Sequence, residues 1–553
     1  MARTPQELAD AIAVSVPGDT VVMANGTWTD LDLRFYADGI EGDTITLKAE
    51  TSGRVILDGQ SHLRIGGDYL KVEGLRFSGG GLTQGHVIEF RRSSSNLANH
   101  SRLTDCEITD YNPPNVSTQY KWVSVYGTHN RVDHCYFAGK THDGATLVVW
   151  LRDPPNDTPS YHRIDHNYFG RRPELGKNGG ETIRVGTSSR SMQDSYVTVE
   201  NNLFEECDGE IEIISNKSGQ NTYRYNTFRR SAGTLTLRHG NNAHVYGNFF
   251  LGESKSGTGG VRIIGERHRV YNNYFQDLAG TGYRAALAVV NGIPNSPLNR
   301  YFQVKEAIIA FNTFVNVEET FVIGAGMSSE QSLAPDSITI AGNLVWTGEG
   351  PIVENEDTPT RITYLANIFY GADTGIPQIA GVTVTDPEFE RDASLWRPSA
   401  TSPVRNAGTA LDFVSEDMDG QPRDTTPDIG ADERSDAAIL RGPLTTRDVG
   451  PSFLGISLPI EPVVERVSSA IALGHAPNPF REQTTIRFNV VDPGNARLVI
   501  HDALGRQVAV LVHSAIRAGE HAVQFDAARL APGVYVAILD MHGRRQSRLL
   551  IRH

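Results

Sequence analysis

Polar and apolar positions in the middle of this chain recur on a fixed beat. An asparagine two positions before a large apolar residue returns as HNYF (ending at Phe169), NNLF (Phe204), YNTF (Phe228), GNFF (Phe250), NNYF (Phe275), FNTF (Phe314), GNLV (Val345) and ANIF (Phe369). HCYF at Phe137 is a variant with Cys135 in the Asn position. The tightest spacings are 22, 24, 24 and 25 residues; the longer ones, 31 to 39, read as the same unit carrying an inserted loop. Runs between anchors alternate and are β-branched, as in Tyr196-Val-Thr-Val199 and Ser337-Ile-Thr-Ile340, which argues for strands over helices. Such a period built of short strands predicts a solenoid. Its coils stack at about 4.8 Å, so equivalent residues form columns. The Asn column is then a ladder of side-chain amides bonding coil to coil, with no ligand role.

The expected fold is all-β: a right-handed parallel β-helix over residues 21–433, followed by a small C-terminal β-sandwich. Residues 1–20 read as an N-terminal capping helix, with Thr4 as N-cap and Pro5 at the first helical position. Residues 434–466 lack a period and read as a linker. Over 467–553, strands such as Thr485-Ile-Arg-Phe488 and Arg497-Leu-Val-Ile500 alternate with turn signals at roughly ten-residue spacing, as in a sandwich. Ala476-Pro-Asn-Pro-Phe480, Asp502-Ala-Leu-Gly-Arg506 and Gly533-Val-Tyr535 resemble the C-terminal sorting domain of the bacterial type IX secretion system. That resemblance implies the type IX machinery as partner, export across the outer membrane, and a secreted or cell-surface protein. A carbohydrate-binding or spacer sandwich is the alternative, without an aromatic platform to support it. The stretch Asp419–Glu433 resembles the terminal segment of many parallel β-helix proteins.

Composition narrows the function. There is no apolar run long enough for a transmembrane helix. Cys106, Cys135 and Cys207 fit neither a disulfide framework nor a zinc site, and read as buried column residues. The net charge of −14 argues against nucleic acid. From Ser468 on, ten Arg and six acids leave +4, so the remainder carries −18.

The chemistry gathers at Gly209-Glu-Ile-Glu-Ile-Ile-Ser-Asn-Lys-Ser218 and Arg238-His239. Glu210 and Glu212, two apart, face one side of a strand. Counted from their anchors, Asn178, the two Glu and Arg238 fall at similar offsets on successive coils, and Arg262 is 24 residues beyond Arg238. Two carboxylates and an amide oxygen are hard ligands suited to Ca2+. A lysine among cations is a credible base, and an arginine can hold an oxygen leaving group. The set suits β-elimination on a uronic acid, with the metal neutralising the sugar carboxylate. Arg184, Lys217, Arg238, His239 and Arg262 would make a groove basic enough for a polyanion; Glu181 and Arg184 pair at the surface or meet the substrate.

Together with Lys177-Asn-Gly-Gly-Glu-Thr-Ile-Arg-Val-Gly186 and Leu237-Arg-His-Gly240, these residues resemble polysaccharide lyase family 6, the alginate lyases and the dermatan-sulfate lyase chondroitinase B. The resemblance implies Lys217 as base, Arg238 as acid, and Asn178, Glu210 and Glu212 as calcium ligands; Glu181, Arg184, His239 and Arg262 are expected at the substrate from their own placement and charge. Alginate is the expected polysaccharide. A dermatan-sulfate lyase shares the machinery, and a non-catalytic polysaccharide-binding surface β-helix needs neither Lys217 nor Arg238. A β-helix glycoside hydrolase needs paired acids without them. The loop Asp153–Pro159 is expected to help close the groove.

Overall fold

The computed structural model describes residues 1–153, 158–377, 380–454, 472–476, 480–490, 493–502, 506–541 and 544–553. They form two units, Met1–Ile456 and Ser457–His553. Most of the loop expected to close the groove, 154–157, lies outside the described residues.

The first unit is a parallel β-helix. Its three sheets, in the order a coil visits them, hold 13, 14 and 13 strands, and each full coil gives one strand to each sheet. One coil runs Thr198–Glu200, Leu203–Glu205, Glu212–Lys217; the next runs Thr222–Arg224, Thr227–Arg229, Gly233–His239. They pair in register, Thr198 with Thr222 and Phe204 with Phe228. The bend between the first and second strand of a coil turns on one residue in the left-handed region, such as His166, Asn201, Tyr225 or Asn272, with φ of 53°, 52°, 56° and 53°. A backbone that bends there leaves main-chain groups unpaired, and the Asn that follows satisfies them. Asn202 Nδ2 donates to Asn226 Oδ1 at 3.0 Å and to Ile164 O at 2.9 Å, while its main-chain N–H donates to Asn226 Oδ1 at 3.0 Å. The same linkage runs Asn167–Asn202–Asn226–Asn248–Asn273–Asn312–Asn343–Asn367. Cys135 stands in this column, its N–H donating to Asn167 Oδ1. All three cysteines are free and buried.

Inside the coils, Phe137, Phe169, Phe204, Phe228, Phe250, Phe275 and Phe314 stack in one file with ring centroids 4.6–5.3 Å apart. The helix Pro5–Ala13 buries Leu8 and Ile12, and the Thr4 hydroxyl accepts the Glu7 N–H.

Residues 434–454, read from sequence as linker, pack along the solenoid instead. Arg441 lies over Tyr225 at 4.1 Å and bonds Glu416. Leu444 N–H donates to Thr227 Oγ1, Gly450 N–H to His166 O, and Ser452 N–H to Asp105 Oδ1. These partners belong to successively earlier coils, so the segment is a strap laid back along the ladder edge. It lacks a β period because its backbone bonds go to turns, not to a sheet. The rest of the expected linker, 455–466, lies outside the described residues.

The second unit has an antiparallel three-stranded sheet (Ala472–Ala476, Gln483–Val490, Gly519–Asp526) and an antiparallel four-stranded one (Gly494–Asp502, Gln507–Ile516, Gly533–Met541, Arg544–Arg552). Phe488, Leu498, Phe525, Tyr535 and Leu550 share one core between them. Pro477–Pro479 and Ala503–Gly505 of the two opening motifs lie outside the described residues; Arg506 Nε donates to Asp502 Oδ2 at 2.7 Å.

Asn226→Ala strips Asn202 of its amide and main-chain partner and should cost about 2–4 kcal/mol, from buried donors left unsatisfied. Denaturant unfolding of the catalytic unit measures it; a cost under about 1 kcal/mol would contradict the ladder. A chain ending at Ile456 should melt with the first unit of the full chain, whereas one ending at Glu433 lacks the strap and should melt several degrees lower in calorimetry.

Candidate active site

The third sheet carries the chemistry. Strands Ile183–Gly186, Glu212–Lys217, Gly233–His239 and Thr258–Ile263 are consecutive neighbours in it. Three irregularities break their register, two of them between Glu212–Lys217 and Gly233–His239. Ile213 is the extra residue between Glu212 paired with Thr234 and Ile214 paired with Leu235. Arg238 is the extra residue between Asn216 paired with Leu237 and Lys217 paired with His239. A bulge re-aims a side chain and loosens the local ladder, and here it falls on Arg238.

Carboxylate oxygens of Glu181, Glu210 and Glu212 lie within 4.8 Å of one another. Glu181 and Glu210 precede their strands on loops that nearly touch. A Cβ on Gly209 would sit 2.2 Å from Gly180 O and 2.7 Å from Arg172 Nε, so both loops need glycine to approach so closely. Arg172 is 2% exposed and ties this layer together. Its Nη1 donates to Glu181 O and Thr146 Oγ1, and its Nη2 to the carbonyls of His142, Gly144 and Gly179.

Glu181 and Glu212 are buried and Glu210 half-buried, and carboxyl groups so close repel one another. Burial, then Glu181 and Glu212, push the Glu210 carboxyl up to about 8. Glu212 goes the other way: burial opposes its charge, but Arg262, Lys217, the Ser215 hydroxyl and Arg238 hold its carboxyl below the usual range. Arg262 Nη2 lies 2.5 Å from Glu212 Oε1, and Ser215 Oγ donates to Oε2. Glu181 Oε2 is buried with no hydrogen-bond partner. A hard divalent cation fits this all-oxygen, charge-crowded set.

Lys217 Nζ is 3.6 Å from Glu181 Oε1, and Arg238 Nε is 3.7 Å from Glu212 Oε1; the two side chains are 16% and 14% exposed. Lys217, Arg238 and the three carboxylates thus share one patch. Other expected residues fall differently. Asn178 is exposed on the loop before Glu181. Glu181, expected at the substrate, joins the carboxylate group. Arg262, also expected there, is 3% exposed and committed to Glu212. An extra residue on its own strand, between Thr258 paired with Gly233 and Val261 paired with Leu235, shifts the register, so Arg262 pairs with Thr236, not with Arg238. His239 is 1% exposed with both ring nitrogens unpartnered. Burial, then Arg238 and Lys217, push it down to about 3, so it is neutral imidazole. Arg184 is half-buried, 5.3 Å over the Trp150 ring, and near enough to Lys121 to help depress that lysine, after burial. Ser215, Arg172, Lys121 and Trp150 were not singled out from sequence. Ser215 lies inside the motif; the other three carry no spacing signal, because loops and neighbouring coils bring them in.

Residues 3–397 match the family model of chondroitinase B, and residues 476–552 that of a secretion system C-terminal sorting domain. The latter assigns the chain to type IX secretion, to the cell surface or beyond. Among the described residues no helix is long and apolar enough to cross a membrane. The structure is similar to that of the PL6 family alginate lyase AlyGC, with 43% identity over 72% of this chain and 55% of that one and a TM-score of 0.69. A mutant of AlyGC gives 38% identity, 87% and 61% coverage, and a TM-score of 0.74. A mannuronic acid specific polysaccharide family 6 lyase from human gut microbiota gives 34%, 66% and 85%, and 0.60. The chain therefore spans 55% and 61% of the length of the first two. No curated protein matches.

With metal chelated, folded Glu210 keeps its proton up to about pH 8, whereas the unfolded chain loses it near 4.5. The folded state binds more protons in that window, so metal-free stability should fall as pH rises through it. Thermal melts in chelator at about pH 5 and pH 8 check the sign. Calcium should restore the loss at the higher pH, and Glu210→Gln should flatten the dependence; a flat wild-type profile contradicts the carboxylate repulsion.

Proposed function

The chain belongs to the chondroitinase B family of polysaccharide lyases, and on that premise we propose that it is a secreted, calcium-dependent alginate lyase cutting by β-elimination. The observation that carries the reading is the convergence of Lys217, Arg238 and the Glu181–Glu210–Glu212 carboxylates on one patch.

Elimination breaks the C5–H and C4–O4 bonds of a uronate and forms a C4–C5 double bond. Lys217 takes the C5 proton. Arg238 donates to O4 as it leaves, so the electron pair released at C5 moves into the new double bond and the oxygen departs with its charge stabilised. Glu181, Glu210 and Glu212 would hold the calcium, with Asn178 on the adjoining loop as a further oxygen donor. A bound cation supplies neutralisation of the uronate carboxylate, which makes the C5 proton acidic. Arg262 and Ser215 keep Glu212 ionised and oriented. Neutral His239, packed beneath Arg238 and Lys217, adds no competing charge. Arg184, over Trp150 and beside Lys121, offers a second uronate carboxylate its positive charge.

A dermatan-sulfate lyase would use the same residues, and the matching family model keeps that reading in play. Incubation with alginate, poly-mannuronate, poly-guluronate and dermatan sulfate, followed by near-ultraviolet absorbance of the unsaturated product, decides between them. The alginate reading predicts absorbance with the first and little with the last. Lys217→Ala and Arg238→Ala should each lose about 10²–10⁴ in kcat, as general-base and leaving-group stabilisation are removed, with circular dichroism unchanged. Chelation should suppress turnover and calcium restore it. Full activity in Lys217→Ala would remove the base from this scheme.

A further inference from the structure

Arg238 sits on the extra residue of a bulge, where the strand ladder does not hold it. Something else must fix its guanidinium, because a flexible arginine loses its orientation toward a leaving oxygen. The loop between strands Leu287–Val290 and Ile308–Ala310 supplies the missing contacts. Arg238 Cζ lies 4.1 Å over the centroid of the Tyr301 ring. Its Nη1 donates to Arg300 O at 3.0 Å and its Nη2 to Asn299 O at 3.3 Å. We propose that Tyr301 is the positioning residue for Arg238: its ring face carries the guanidinium while the main chain just before it receives both terminal nitrogens. The proposal rests on reading Arg238 as the group that assists the leaving oxygen.

The loop is braced for this task. Ile293 N–H donates to Tyr301 O at 2.8 Å, and Gly292 and Leu333 exchange main-chain bonds of 2.8 and 3.0 Å. Arg300 pairs with Glu330 at 2.7 Å. The Tyr301 ring packs against the buried cluster of Ile264, Ala285, Ala288 and Val290 on the third sheet. The chemistry of the partners also suits the role. A second carboxylate would hold the guanidinium but spend its charge; a ring face and two carbonyls are neutral, so the charge stays available to an oxygen that becomes negative only as the bond breaks.

The test uses the full chain loaded with calcium and assayed on alginate. Tyr301→Leu keeps bulk but removes the π face; Tyr301→Phe keeps the face and loses only the hydroxyl. Tyr301→Leu should lower kcat about tenfold, the size of a desolvated cation–π contact, with KM within about twofold. Tyr301→Phe should retain wild-type kcat. In an Arg238→Ala background Tyr301→Leu should add no further loss, since the group it orients is gone. Tyr301→Met replaces the Leu variant if the latter does not fold. Equal losses from Phe and Leu, a change in KM alone, or the full loss persisting in Arg238→Ala would each overturn the proposal. Wild-type activity in Arg238→Ala itself would instead overturn the reading of Arg238, whatever the Tyr301 variants do.

Discussion

Every feature of the catalytic unit depends on successive coils being held in register, and the asparagine ladder does the holding. Strands of three to seven residues, such as Thr198–Glu200 and Gly233–His239, contribute few main-chain bonds each. The turns between them expose donors that a slip of one residue would strand. Each ladder Asn answers with its amide, accepting from the coil before and donating to the coil after. The phenylalanine file sets the same register from inside: rings at 4.6–5.3 Å cannot be displaced singly without opening a void.

That rigidity lets residues far apart in sequence act together, and it makes the exceptions informative. Where the ladder is regular, equivalent positions align. Where Arg238 bulges, alignment is broken, and its guanidinium is met by Glu212 and by the Asn299–Tyr301 loop. The contact of Gly180 with Gly209 is a second departure, bringing two loops to a distance that any side chain would forbid and so placing Glu181 against Glu210. Both departures rest on their surroundings: Arg172 braces the glycine contact, and the Asn299–Tyr301 loop braces Arg238.

Electrostatics reconciles an acidic chain with the acidic substrate proposed for it. A file of carboxylates along the first sheet is paired with arginines, as in Arg131–Asp165, Arg163–Glu200 and Arg224–Glu200. Such pairs neutralise the surface locally. At the active patch the balance differs: three acids crowd into one group, and Lys217, Arg238, Arg184 and Lys121 stand nearby. On the proposed function a polyanion would meet these cations and the carboxylate cluster, although the net charge of the whole is −14.

Sequence alone determined the solenoid, its asparagine ladder and phenylalanine file, and the sandwich at the C-terminus, and it singled out Lys217, Arg238, Glu210 and Glu212, which the fold brings together. It could do so because a stacked repeat turns spacing along the chain into position in space. Only the tertiary structure decided what spacing does not encode. Arg262, expected at the substrate, is the partner of Glu212, because an extra residue between Thr258 and Val261 shifts the register that counting assumes constant. Glu181 joined the carboxylates through a glycine contact between loops. The strap at 434–454 bonds to turns and so leaves no period to read. Tyr301, 63 residues from Arg238, reaches it by way of an inserted loop whose course is set by bonds to its neighbours, not by the repeat.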